Sequence, residues 1–254
     1  MSSTQDSAEL VLLHGWGTHA GVWAQVENEL KSQHSFESMA LDFPGYGTQA
    51  NRSFTADIDV LAHDALERSP ETAVWGGWSL GGMVALRAAT IAPERVRGLI
   101  LVSSTPKFVA SADWSAGAQI DFFETFVKSL TKDYGRNLRR FLLLQAGDSK
   151  RARQLSTVIK EIIEAAPQPS LETLNSGLDL LKNLDMRDQL GQMNIPIKIL
   201  SGRMDRICHP DASKWLADRL GGRLTQLESG HGSLLSHPRA LADELSRLLY
   251  EVVS

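Results

Sequence analysis

The sequence predicts an α/β fold, a mostly parallel sheet with helices on both faces and an inserted helical lid. Three observations predict it. Short β-type runs alternate with amphipathic helical stretches; a glycine-rich heptapeptide, "GGWSLGG" (76–82), joins one such run to a helix; and the interval from Pro106 to Asn194 has helical patterns but no convincing strand. Strand and helix in alternation argue for a parallel sheet covered on both sides.

The elements follow in order. "LVLL" (10–13) is a short continuous apolar run, the signature of a buried strand. "GVWAQVENELKS" then repeats apolar residues at three and four, as a helix does, before the strand-like "SMALD" (38–42). "DIDVLAHDALERS" is a second amphipathic helix and leads to "TAVWGGW" (72–78). The helix "MVALRAATIAP" and the strand "GLILVSS" (98–104) come next. The long interval that follows holds three or four helical patterns, too much chain for a loop. After it come "IKILSG" (197–202), the helix "ASKWLADRL" and "LTQLES" (224–229). The expected division is a sheet-containing core at 1–106 and 195–254 with a lid insertion at 107–194, in a single domain overall.

Composition bounds the function. With 254 residues, 43% of them hydrophobic, the chain can bury one large core. Its 26 basic and 30 acidic residues nearly balance, so no nucleic-acid partner is expected. The lone cysteine, Cys208, excludes an intrachain disulfide and disfavours a cysteine-rich metal site. The seven histidines are scattered, with no H-E-x-x-H and no C-x-x-C, so neither metal nor cofactor is expected. "MSSTQDSAEL" lacks the basic and apolar regions of a signal peptide, and no apolar run approaches the roughly 20 residues of a membrane span. A cytoplasmic monomer without a membrane partner is the expectation.

The heptapeptide carries the chemistry. Gly77-Trp78-Ser79-Leu80-Gly81 is G-x-S-x-G at a strand-to-helix junction, the context that gives the motif meaning. The turn is sharp, so the positions two before and two after the serine must be small. It lifts the Ser79 hydroxyl above the sheet at a helix N-terminus, where the Leu80 N–H can face a developing oxyanion. A serine needs a base, and the base needs an orienting group. The fold's chain order is nucleophile, acid, histidine. Asp205 follows the strand "IKIL" and His231 follows "LTQLES", each at a carboxyl end from which a side chain could reach Ser79. Asp211 reads instead as a helix cap, His237 as the start of the last helix and His209 as a turn residue. The loop after the first strand, His14-Gly15-Trp16-Gly17, offers Trp16 as the second oxyanion donor.

"LHGWG", "LDFPGYG" and "GWSLGG", with Asp205 and His231, resemble the α/β-hydrolases. With "RRFLLLQ" (139–145) and "LNSGLDLLKNLDMR" (174–187), the chain from about Leu10 onwards resembles the pimeloyl-acyl carrier protein methyl ester esterases of biotin synthesis, the BioH family. The resemblance implies Ser79, Asp205 and His231 as triad. It implies substrate contacts at Trp16, Leu80, Phe141, Leu142, Leu143, Leu144 and Gln145, besides His231. It also implies an acyl carrier protein as partner, bound through Arg136, Arg140 and Arg153. Two departures stand out: only nine residues precede the strand "LVLL", where the family usually has a further strand, and Thr157 stands at one position of the family's basic set.

Charge points the same way. Residues 128–153 carry eight basic side chains against Asp133 and Asp148, a local +6 in a chain of net −4. Such asymmetry steers an acidic partner. The expected reaction is hydrolysis of the methyl ester of pimeloyl-acyl carrier protein to the free acid and methanol. The alternatives are a broad small-ester hydrolase or thioesterase with the same triad, or a hydrolase-like receptor, which an intact triad disfavours.

Overall fold

The computed structural model describes residues 10–34, 36–119, 121, 125, 128–129, 132–144 and 149–253; the side chains of 144 and 149–154 lie outside that description. Six strands form one parallel sheet: β1 (Leu10–Leu13), β2 (Met39–Leu41), β3 (Ala73–Trp78), β4 (Val96–Val102), β5 (Ile197–Gly202) and β6 (Arg223–Leu227), in the order β2-β1-β3-β4-β5-β6. Each is one of the six runs read from the sequence. β4 starts two residues earlier than its pattern, at a buried Val96 that pairs with Ala73 across a register shift. β1, β3 and β5 are buried along their whole length, β1 and β3 without a charged residue and β5 with Lys198, whose ammonium pairs with Glu244 at 3.2 Å, whereas the edge strands β2 and β6 are partly exposed. The nine residues before β1, where the family's extra strand would fall, lie outside the described residues.

Helices cover the sheet because each carries an apolar stripe. α1 (Ala24–Glu29) precedes β2, and α2 (Ile58–Arg68) starts at Asp57, whose carboxylate accepts the Asp59 N–H at 2.8 Å. α2 buries Ile58, Leu61, Ala62, Ala65 and Leu66. α3 (Leu80–Ile91) runs from Ser79 and is apolar almost all round, as a helix packed on several sides must be. After the insertion come α7 (Pro210–Leu220), the short α8 (Ser233–Ser236) and α9 (Pro238–Val253). The cap of α7 differs from the sequence reading: His209, not Asp211, is the N-cap, its Nδ1 accepting the Asp211 N–H at 3.3 Å. The helix begins two residues sooner because Pro210 suits the first helical position, where its missing N–H costs nothing. That leaves Asp211 in the first turn, beside the positive end of the helix dipole.

Between β4 and β5 lie α4 (Tyr134–Leu144), α5 (Ser149–Glu164) and α6 (Leu171–Asn183). α4 buries Tyr134, Leu138 and Leu142 and leaves Arg136, Arg139 and Arg140 exposed. Side chains tie this layer to the loop after β1. Tyr134 donates its hydroxyl to the Gly17 carbonyl at 2.6 Å, His19 Nε2 donates to the Ile162 carbonyl at 2.6 Å, and the Trp16 indole donates to the Leu174 carbonyl at 3.0 Å. Gly177 in mid-α6 makes the last approach possible: a Cβ there would stand 2.6 Å from Trp16 Cδ1. A glycine that weakens a helix by about 1 kcal/mol is tolerated because the indole needs its space.

Candidate active site

At the carboxyl end of β3 the chain reverses into α3 through Ser79, which holds φ +56° and ψ −118°. A non-glycine residue in that region costs roughly 1–3 kcal/mol and persists only where its surroundings impose it. Here they do. The Ser79 N–H donates to the Val102 carbonyl at 3.0 Å, and its own carbonyl accepts from Ser104 Oγ at 2.9 Å and from the N–H groups of Gly82 and Met83. The glycines follow from the same crowding. A Cβ on Gly77 would overlap the Gly81 carbonyl, and one on Gly81 would overlap the carbonyls of Leu13 and His14.

Asp205 and His231 come from the loops after β5 and β6. His231 Nδ1 and Asp205 Oδ2 are 2.9 Å apart, and both residues are 2% exposed. Oδ1 of the same carboxylate accepts the N–H groups of Ile207 at 2.8 Å and Cys208 at 2.9 Å, which fixes the plane of the group. The carboxylate can only accept, so Nδ1 is the protonated ring nitrogen and Nε2 carries the lone pair. Trp78 holds the histidine loop, its indole donating to the His231 carbonyl at 3.0 Å with the two rings 5.5 Å apart.

Ser79, His231, Gly15 and Trp16 line one narrow cavity of about 30 Å³, with walls from Trp78, Phe108, Phe141, Leu178, Leu181 and Ile207. Of the residues the sequence singled out, the structure thus brings Ser79, Asp205, His231, Trp16 and Phe141 together. Leu80 follows Ser79 as the buried first residue of α3. Leu142 is buried in the main core and Leu143 packs against that core half-buried. Gln145 and the side chains of Leu144 and Arg153 lie outside the described residues. Arg136 stands exposed and pairs with Asp133 at 3.3 Å, while Arg140 is exposed on the same helix.

Sequence reasoning missed part of the wall. Leu178 and Leu181, three apart on α6, carried a legible helical stripe, but nothing in the sequence said which cavity that stripe would face. Cys208 was missed too. Its thiol is buried and hydrogen-bonds the Ser79 side chain, and burial pushes its pKa well up, so it stays a neutral neighbour and not a competing nucleophile. A larger open groove, about 510 Å³, is lined by Trp114, Arg187, Trp215 and Arg219. It contains neither the elbow serine nor a histidine. Among the described residues no cluster of His, Cys, Asp or Glu is placed to hold a metal ion, and no helix is long and apolar enough to cross a membrane.

A strained serine after a parallel strand, facing a buried histidine–carboxylate pair, defines a class, and the chain belongs to it: the α/β hydrolase family, whose profile matches residues 10–244. Within that class it falls among the pimeloyl-[acyl-carrier protein] methyl ester esterases. It is 38% identical over 247 residues to the protein of that name from Cronobacter sakazakii, covering 96% of this chain and 93% of that one. The protein of the same name from Nitrosomonas europaea is 38% identical over 242 residues, with 94% of each chain covered. Among solved structures, an esterase from Exiguobacterium antarcticum superposes with a TM-score of 0.83 at 21% identity, covering 96% of this chain and 92% of that one, a likeness of fold.

Proposed function

We propose that this chain is a serine carboxylesterase that cleaves the methyl ester of pimeloyl-[acyl-carrier protein], giving the free acid and methanol in biotin synthesis. The observation that carries the chemistry is the His231–Asp205 pair beside the strained Ser79 in one apolar cavity. Ser79 Oγ attacks the ester carbonyl while His231 Nε2 takes its proton. Asp205 holds the imidazole in the tautomer that can accept it and stabilises the imidazolium that forms. The N–H groups of Leu80 and Trp16 hold the oxyanion. The tetrahedral adduct collapses, methanol leaves with the proton from His231, and water repeats the cycle to release the acid. No cofactor takes part in this scheme.

The walls suit this substrate. Among the described lining residues none carries a permanent charge, so a neutral methyl ester is accommodated. The carboxylate product meets no permanently cationic side chain there, and burying a charge without one is costly. At about 30 Å³ the cavity is small for an acyl chain, so the proposal has the Phe141, Leu178 and Leu181 side chains of α4 and α6 give way as it enters. In this reading the segment 107–194 is a lid. Its basic stretch, with Arg136, Arg140 and Arg153, receives the acidic carrier, and Trp16, Leu80 and the stretch from Phe141 to Gln145 meet the acyl chain.

The test is Ser79→Ala with Asp205→Asn, assayed on methyl pimeloyl-carrier and on p-nitrophenyl acetate. Ser79→Ala is expected to abolish turnover of both without changing the melting temperature. Asp205→Asn is expected to lower kcat about 10⁴-fold, because an amide facing Nδ1 selects the wrong tautomer. Ser79→Ala activity within tenfold of the parent would overturn the assignment.

A further inference from the structure

We propose that His14 and Thr18 are positioning residues, which aim the Trp16 N–H into the oxyanion site by clamping the carbonyl on the other side of its peptide. The inference rests on the reading of Ser79 as nucleophile and Trp16 as donor. The Gly15 carbonyl accepts three hydrogen bonds: from His14 Nδ1 at 2.8 Å, from Thr18 Oγ1 at 2.9 Å and from the Thr18 N–H at 3.4 Å. The last closes a tight turn whose third residue, Gly17, has the φ of +73° that such a turn requires.

The polarity of the His14 contacts is determined. The Phe43 N–H reaches His14 Nε2 at 3.1 Å, and an amide can only donate, so Nε2 accepts and Nδ1 carries the proton. Among the described residues no peptide is cis, so the carbonyl and the N–H of the Gly15–Trp16 peptide point opposite ways. Three donors pulling one end leave the N–H facing the other side. That side is the nucleophile: a Cβ on Gly15 would stand 3.3 Å from Ser79 Cβ, and Gly15, Trp16 and Ser79 line the same cavity.

Both clamping side chains are buried, His14 completely and Thr18 to 4% exposure, and neither lines the cavity. They therefore act through the peptide and not on the substrate. An oxyanion donor contributes only if it is already aimed when charge develops, and a peptide free to rotate would lose that preorganisation.

The experiment compares Thr18→Val, which keeps the shape and removes the hydroxyl donor, with Thr18→Ser, which restores it, using p-nitrophenyl acetate and a phenylboronic acid. The boronic acid forms a tetrahedral adduct on the serine and places an oxygen where the oxyanion would sit. Thr18→Val is expected to lower kcat about tenfold with KM and melting temperature little changed, less than the ~10²–10³ for losing an oxyanion donor outright. The boronate inhibition constant should rise by a similar factor, and Thr18→Ser should recover both. Unchanged kcat in Thr18→Val, beside a dead Ser79→Ala, would overturn the clamp and leave the nucleophile standing. A fall in kcat without weaker boronate binding would also overturn it. Activity retained in Ser79→Ala would overturn the site reading itself.

Discussion

Around Ser79 the chain is held by its backbone, whereas the insertion is held to the core by side chains, the apolar ones of α4, α5 and α6 above all. The elbow is held through main-chain hydrogen bonds, the Ser79 N–H to the Val102 carbonyl and the Gly82 and Met83 N–H groups to the Ser79 carbonyl, and glycines at 77 and 81 let carbonyls pack where a Cβ would collide. The insertion touches the loop after β1 through the Tyr134 hydroxyl, the His19 ring and the Trp16 indole. One arrangement fixes the strained backbone of Ser79 in place. The other adds three hydrogen bonds, each of net value near ~1 kcal/mol, to the burial of Leu138, Leu142, Leu174 and Leu178 in the same core. Under the proposed function the two parts divide the work: the backbone-held part serves every ester, and the side-chain-held part sets which ester arrives.

That separation can be broken from the lid side. Reversing Arg136 and Arg140 to Glu changes the local charge of residues 128–153 from +6 to +2. Single exposed pairs are worth only about 0.2–1 kcal/mol, but a set acting on one acidic surface alters encounter rates by about tenfold or more. The expected result is a roughly tenfold loss of kcat/KM on carrier-linked ester at low salt, fading as salt rises, with p-nitrophenyl acetate turnover unchanged. Equal loss on both substrates would mean that the arginines hold the lid in shape.

A smaller effect sharpens the core side. Burial outweighs the pull of Asp42 and pushes His14 down to about 4 from 6.5. Between those values the unfolded chain binds a proton that the folded one refuses, so stability increases with pH across the window and is lost as pH falls through it. Urea unfolding of the parent should lose up to about 3 kcal/mol from this source between pH 6.5 and 4. His14→Gln, which cannot titrate, should show a correspondingly shallower slope. Equal slopes would show that His14 does not control acid stability.

Legibility in the sequence divided along the same line. All six strands, the elbow and the Asp205–His231 pairing were readable, because each follows from local pattern and chain order: an apolar run, two obligatory glycines, two strand ends. The cap of α7 was misplaced by a short distance, since both His209 and Asp211 are competent acceptors and only the backbone chooses between them. The cavity wall was half legible. Phe141 came from family likeness, while Leu178, Leu181 and Cys208 face Ser79 through tertiary packing that no spacing encodes. The clamp on the Gly15 carbonyl was hidden for the same reason. It depends on Phe43 arriving from another strand's loop to fix the tautomer of His14.

The most direct test of the central claim is mass spectrometry of methyl pimeloyl-carrier after incubation with the parent enzyme. The carrier carries two cleavable acyl bonds, a methyl ester at one end and a thioester at the other. The account predicts loss of the ester methyl group as methanol, with the pimeloyl chain still on the carrier thiol and nothing lost in Ser79→Ala. Release of the free carrier thiol by the parent enzyme, with the methyl ester intact, would make this chain a thioesterase and contradict the account.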